Sequence, residues 1–471
     1  MKRLLTMLAA VLMLTAALTV TAAASDYDAV ADDLAAIGMF RGTAAGYELD
    51  RAPKRSEAAI MLVRLYGAEE AAKAAYEAGE ISHPFTDVSP TASPSVAWLY
   101  TNGITNGTTA TTFGSAAPCS AKMYCAFLLR ALGYQDGADF QYADCLTFAQ
   151  EKGFYDPMLF AGDFLRDDLA ALTYQGLAAD LKDGSTYLLA SLIDSGAIDA
   201  KAAEPMTETI EAYRAMEAAT AGMDETAMDM DIDMTMDIVS SIEGPEGKET
   251  IMDMTTHSTG SMAIITKDES NIQMAYTVET DMDGDTLSQG MWLKDGWVYQ
   301  SIEMGGETMK VKQPVGDQLT AEEVVSSVEP TAMDVSGLAM IKSVTVEKKG
   351  GNTVYTMVIR EDLGGAMSGV EAIMGEDTTN MKFGDMEAAY TIDRSGQLKK
   401  IDMVFSASLE EALDMEELGS YLVTMEYGYD MTMNVNATGD EVKIKWPDFS
   451  DFQEIDPSQE EIITQEEVTF F

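Results

Sequence analysis

Phe85 to Gly133 reads FTDVSPTASPSVAWLYTNGITNGTTATTFGSAAPCSAKMYCAFLLRALG. Pro90 and Pro94 fix an entry turn, because proline is excluded from a helix interior. Val96, Leu99 and Tyr100 follow at i, i+3 and i+4, the apolar face of a short helix. Gly103 stands where a helix ends in a left-handed residue. Asn106-Gly107 signals a turn, and Phe113 is an apolar anchor in the loop beyond it. Ser120 reads as the N-cap of a second helix. Its stripe is Tyr124, Phe127, Leu128 and Leu132, and Gly133 stops it. The pattern is a helix, a glycine-punctuated loop and a second helix.

The pattern recurs on both sides. Upstream, Leu34 to Gly42 mirrors Leu99 to Gly107, and Pro53 to Glu57 with Arg64 to Gly67 mirrors Cys119 to Gly133. Downstream, Phe148 to Phe154 repeats the first helix end, and Leu165 to Leu169 opens another second helix. Three copies fit, at about 27–68, 85–134 and 140–181, with a capping helix at 186–195. Tyr187, Leu188, Leu192 and Ile193 share one face of that cap. One repeat cannot bury its own apolar face, so the copies must pack together.

Phe85-Thr86-Asp87-Val88, Val96-Ala97-Trp98-Leu99-Tyr100, Asn102-Gly103-Ile104, Gly107, Phe113 and Arg130-Ala131-Leu132-Gly133 carry, in order and spacing, a family likeness. They resemble the S-layer homology repeat, with which many bacteria hold exported proteins on their cell walls. The resemblance implies an all-α, pseudo-threefold bundle over residues 25–199. It also implies grooves between repeats that bind a secondary cell-wall polysaccharide, often pyruvylated. A Thr-Arg-Ala-Glu-like motif at the start of each second helix is the family's recognition element. An arginine fork suits a ketal carboxylate, and a helix N-terminus adds partial positive charge. Carried over, the resemblance points to Arg55 and Glu57 in the first repeat and to Arg166 and Asp168 in the third. Gly42 and Gly107 fall in the matching loops. The second repeat has Ala121 and Met123 at those positions, and Thr91-Ala92-Ser93 where a tryptophan often stands. That implies polymer binding through two grooves or one. An arginine and an acid in a first helical turn also serve simply as a solvated cap. Asp87 reads as an Asx-type turn residue.

A chain of 471 residues suggests two or more domains. Met1 to Ala24 reads as a signal peptide, with Lys2 and Arg3, an apolar run from Leu4 to Val20 and Ala22-Ala23-Ala24 as cleavage site. A membrane anchor is the alternative, and the short run ending in a cleavage site speaks against it. No later segment has the apolar length to span a bilayer. The net charge of −49 argues against nucleic acid and anionic lipid as partners. It suits a cation-rich wall, or solubility alone. Cys119, Cys125 and Cys145 read as small buried hydrophobes rather than a bridge. His83 and His257 are the only histidines, which disfavours a histidine-rich metal site or a serine triad.

Composition shifts near Ala200. Thr207 to Ala221 reads as a helix within a linker at 200–221. Met228, Met230, Ile232, Met234, Met236 and Ile238 then alternate with Asp229, Asp231, Asp233, Thr235 and Asp237, a strand with one apolar and one acidic face. Val423, Met425, Tyr427, Tyr429, Met431, Met433 and Val435 alternate in the same way. Such long strands predict a curved antiparallel sheet, a half-barrel, over residues 222–449. Lys294-Asp295-Gly296-Trp297 and Asp393-Arg394-Ser395-Gly396 read as tight turns. Asp281 to Asp285 fails the spacing of a calcium loop and reads as a hairpin turn. Leu319–Val328 and Leu363–Met374 read as short helices over the sheet, and Lys443 to Trp446 as a last strand. Ser450 to Phe471 reads as an acidic, disordered tail.

Met291 to Tyr299, Tyr390 to Asp393 and Gly396 to Ile401 resemble the lipoprotein-carrier-like curved-sheet family (LolA/LppX-like). That resemblance implies an α+β fold closing over an apolar cavity. The candidate pocket residues are Met403, Met425, Tyr427 and Met431. The alternative is that methionine simply fills a sheet core.

These readings together describe a non-catalytic, secreted protein of a bacterial cell wall or S-layer, without cofactor. Its helical half would bind wall polysaccharide, and its sheet would present an apolar-ligand surface. The rivals are a wall-anchored, glycan-acting enzyme, since carboxylates abound, and a purely structural envelope protein.

Overall fold

The computed structural model describes residues 27–43, 45–157, 160, 162–220, 226–244, 247–266, 272–282, 285–315, 337–360, 381–384, 386–415 and 419–454. The expected signal peptide and the expected helices Leu319–Val328 and Leu363–Met374 lie outside these residues. The described residues from 27 to 213, with 337–344, make one compact unit, and the remainder make the other.

The first unit is helical. Its helices are α1 (Asp28–Ala36), α2 (Arg55–Leu65), α3 (Glu69–Glu77), α4 (Ser93–Thr101), α5 (Ala121–Ala131), α6 (Cys145–Glu151), α7 (Arg166–Ala178) and α8 (Leu188–Asp194), with α9 (Glu204–Thr220) leading out of it. Pro94 occupies the first turn of α4, where its missing N–H costs nothing. The Ser120 hydroxyl accepts the Met123 N–H and caps α5. Gly103 and Gly133 end α4 and α5 with positive φ, as the sequence requires. Val96, Leu99, Tyr124, Phe127, Leu128 and Leu132 are buried, but Tyr100 is exposed and meets the Phe85 ring edge-on. The Tyr124 hydroxyl bonds Thr173 at 2.6 Å, tying α5 to α7 inside the core. The three cysteines are free and buried. No helix among the described residues is long and apolar enough to cross a membrane.

The second unit is a large, curved, unclosed and mostly antiparallel sheet. Its strands are β1 (Ala227–Gly244), β2 (Gly247–Ile265), β3 (Gln273–Met282), β4 (Asp285–Lys294), β5 (Trp297–Met304), β6 (Glu307–Pro314), β7 (Ile341–Lys349), β8 (Asn352–Ile359), β9 (Met381–Phe383), β10 (Met386–Ile392), β11 (Leu398–Met415), β12 (Gly419–Thr438) and β13 (Gln453–Glu454). They run in the order β13-β6-β5-β4-β3-β2-β1-β12-β11-β10-β8-β7, with β9 beside β11. The Met/Asp alternation becomes a ladder. Met234, Met431 and Met403 stand opposite one another on β1, β12 and β11, and Met236, Tyr429 and Phe405 form the next rung. Asp295 and Gly296 both take positive φ, so the β4–β5 turn follows the strand twist. Met282 pairs with Asp285 across β3 and β4, and 283–284 lie outside the described residues.

Two expectations need correction. Lys443–Trp446 is not a strand. It is held by side chains, with Lys294 5.1 Å over the Trp446 ring. Residues 450–454, expected to begin a disordered tail, are ordered, and the rest of that stretch lies outside the described residues. Phe452 is buried, and β13 pairs in parallel with β6.

Candidate functional site

A groove of about 590 Å³ opens in the helical unit. Four pieces of chain build it: the Phe40–Thr43 loop, one face of α2 with the start of α3, the segments around Asp87–Ser95 and Ser115, and the start of α7.

Backbone hooks set this arrangement. The Arg55 N–H donates to Ala117 O at 2.8 Å and the Ser56 N–H to Ser115 O at 3.3 Å, fastening the start of α2 to the loop before α5. The Arg166 N–H donates to Leu49 O at 3.1 Å and Arg51 O at 3.0 Å, fastening the start of α7 to the loop before α2 in the same way. These bonds satisfy helix-end donors that would otherwise be orphaned.

Five basic residues, Arg41, Lys54, Arg64, Lys73 and Arg166, line the groove against three carboxylates, Glu57, Glu69 and Asp87. Glu69 holds Arg41 at 3.1 Å, Arg64 at 3.2 Å and Lys73 at 3.5 Å. Burial pushes Glu69 up, but the Arg64 bond and the charges of Arg64, Arg41 and Lys73 outweigh it and keep it below the usual carboxylate range. Glu57 pairs with Arg51 at 2.7 Å and Arg166 at 3.3 Å, and accepts the Lys54 N–H at 2.7 Å. Burial raises it too, and these partners again bring it down. Lys54 and Arg41 stand exposed at the rim. The Ser115 hydroxyl is buried at the groove wall without a hydrogen-bond partner among the described residues.

Asp87 does more than shape a local turn. Its carboxylate accepts the N–H groups of Phe113, Gly114 and Ser115, at 2.7, 2.7 and 3.1 Å. The Phe113 bond leads in holding its pKa down.

Of the residues singled out by sequence, the structure brings Glu57, Arg166 and Gly42 to this groove. The Arg166 side chain is only 5% exposed. Its Nε donates to Tyr47 O at 2.8 Å, its Nη2 to Arg41 O at 3.4 Å, and its guanidinium lies 4.8 Å over the Phe40 ring. Arg55 is directed elsewhere. It lies 4.9 Å over Phe113 and donates to Met123 Sδ at 3.6 Å. Asp168 accepts the Leu165 N–H at 2.7 Å, and burial pushes it up to about 6. Gly107 has positive φ, and a Cβ there would meet the Phe85 ring at 2.3 Å, so glycine lets that ring pack.

Sequence reasoning missed Arg41, Lys54, Arg64, Glu69, Lys73 and Ser115. Its available signal was Glu69 to Lys73, an acid four residues before a base in an alanine-rich stretch.

Residues 84–120 match the S-layer homology domain. The matched stretch contributes Asp87, Ser89, Ser95 and Ser115 to the groove. No curated protein matches the chain. Among solved structures, the chain is similar to LprF from Mycobacterium bovis, with 9% identity, 51% of this chain and 97% of that chain covered, and a TM-score of 0.26. It is also similar to the outer membrane protein OprG from Pseudomonas aeruginosa, with 9% identity, 45% and 97% covered, and a TM-score of 0.08. At these TM-scores neither likeness bears on fold or function.

In the sheet unit, Met403 and Met431 are each 3% exposed and Tyr427 is 7% exposed, while Met425 is half-buried. All four share one face, Tyr427 opposite Ala407 and Met425 opposite Leu409.

Proposed function

We propose that the helical unit fastens an exported protein to a bacterial cell wall by binding an anionic secondary wall polysaccharide in the groove. The observation that carries this reading is local charge. A chain with net charge −49 gathers five basic side chains around one groove, beside its S-layer homology stretch. Carboxylate or ketal groups on the polymer would meet Lys54 and Arg41 at the rim, with charge-assisted hydrogen bonds. Arg166 supports the floor of the groove and adds field rather than a free fork.

In this reading residues 1–24 are removed on export. Residues 25–199 hold three S-layer homology repeats (27–68, 85–134, 140–181) and a cap at 186–195, residues 200–221 link, and residues 222–449 are the presented sheet. The first repeat supplies the competent groove. Arg55 sits on Phe113 and Met123, so it contributes to packing between repeats. The role is binding, not catalysis. The enzyme alternative needs a carboxyl held near neutrality, and Asp168 is one. That carboxyl is occupied by the Leu165 N–H and lies off the groove lining.

The test is co-sedimentation of the full chain with purified walls. The double variant Arg41→Glu, Lys54→Glu is expected to lose at least tenfold in wall affinity, with helix content unchanged because both side chains are exposed. Ala121→Ser should bind like the parent. Undiminished binding by the double variant would place the contact elsewhere.

A further inference from the structure

We infer that the sheet unit carries a separate glycan-binding trough on its polar face. A cavity of about 480 Å³ lies across β2–β6, within the usual size for a ligand site of roughly 300–1,000 Å³. Strand register explains how it forms. Ser261, Thr277, Gly290, Ser301 and Lys310 stand side by side on five successive strands. Thr259, Glu279, Ser288, Glu303 and Thr308 make the adjoining row in the same way. Seven of these ten residues are Gly, Ser or Thr, and they fall on all five strands, so the trough runs across the strands rather than along one.

Its side wall is built up. The next row on this face holds Trp292 and Tyr299. Trp292 leans over Gly290, where a Cβ would fall 2.2 Å from the indole. Phe449 stacks on Tyr299 at 3.9 Å, and Phe452 sits edge-on to both rings. Lys310 closes one end, fixed by Asp451 at 2.6 Å.

The lining selects the ligand class. Ser and Thr hydroxyls both donate and accept, and Glu279 and Glu303 accept from paired hydroxyls. A polyhydroxylated chain satisfies these groups. Ser261 and Thr277 pair with each other at 3.1 Å, but a lipid tail would bury the other hydroxyls and the two carboxylates without giving them a partner, which is costly. A nucleic acid would meet two carboxylates in a strongly acidic chain. A peptide adding to the sheet would use an edge strand, not a trough across five strands. The occupant is therefore a glycan strand. This inference is independent of the helical groove.

The experiment is calorimetric titration of the full chain with two probes, the N-acetylglucosamine tetramer and the polysaccharide released from purified walls by acid. In the variant Thr277→Arg, Ser288→Arg two long side chains occupy the floor. In Glu279→Gln, Glu303→Gln the shape is kept and folding is not at risk. At least one probe should bind the parent saturably. The arginine variant should weaken that binding at least tenfold and the glutamine variant about fivefold. The helical-groove variant Arg41→Glu, Lys54→Glu should retain the tetramer binding, and for the wall polysaccharide, which the helical groove would also take, the trough variants are compared in that background. If neither probe binds the parent, or if both trough variants bind each probe as the parent does, the inference is overturned.

Discussion

Replacing Arg166 by alanine is expected to destabilise the helical unit by about 3–5 kcal/mol, the cost of removing one partner of a buried, hydrogen-bonded ion pair. Its fork reaches Glu57, Tyr47 O and Arg41 O, and its plane covers Phe40. Truncation would strand the two carbonyls and leave Glu57 with Arg51 and the Lys54 N–H but without its second arginine. The matching change at Arg55 should cost far less, because that side chain is only half-buried, has no ion pair among the described residues and holds chiefly an aromatic contact of about 0.5–1 kcal/mol. Thermal unfolding followed by helical circular dichroism separates the two. Equal midpoints for Arg166→Ala and Arg55→Ala would show that Arg166 does not clamp the helical unit.

Met431→Asp is expected to destabilise the sheet unit by about 4 kcal/mol or more, because an unpaired charge would be placed in apolar packing. Met431 stands between Met234 and Met403, and the Tyr429 hydroxyl touches its sulfur at 3.4 Å. Asp430→Asn, next in sequence but on the exposed face, should change stability by no more than about 0.5 kcal/mol. Trp292, Trp297 and Trp446 report this unit by fluorescence during denaturant unfolding. A Met431→Asp protein as stable as the parent, with an apolar dye bound saturably by the parent and lost in the variant, would instead establish an open methionine-lined pocket.

Local rules were readable in the sequence. Ser120, Gly103 and Gly133 mark helix ends because capping depends on a few adjacent residues. The Met/Asp alternation announced β1 and β12 because a pleat inverts side chains with period two. What depended on distant partners was not readable. Helix α3 buries only Ala72, so no apolar stripe announced it, yet it brings Glu69 and Lys73 to the groove. Asp87 was read as a local turn residue, but its acceptors are filled from 26 to 28 residues away. Ile444 and Trp446 alternate like a strand, yet no ladder forms there, and Trp446 instead meets Phe449 at a tilt, 6.3 Å away, and Lys294 at 5.1 Å. The arginine motif was found, but sequence could not tell that Arg166 turns inward, that Arg55 packs on Phe113, and that Lys54, the residue before α2, stands exposed at the groove.

The central claim is that the groove holds an acidic wall polymer. The most direct measurement is titration of the full chain with secondary wall polysaccharide before and after chemical removal of its acidic substituents, repeated at increasing salt. The expected result is at least tenfold weaker binding of the neutralised polymer, and binding of the intact polymer that weakens as salt rises. Equal affinity for intact and neutralised polymer, indifferent to salt, would contradict it.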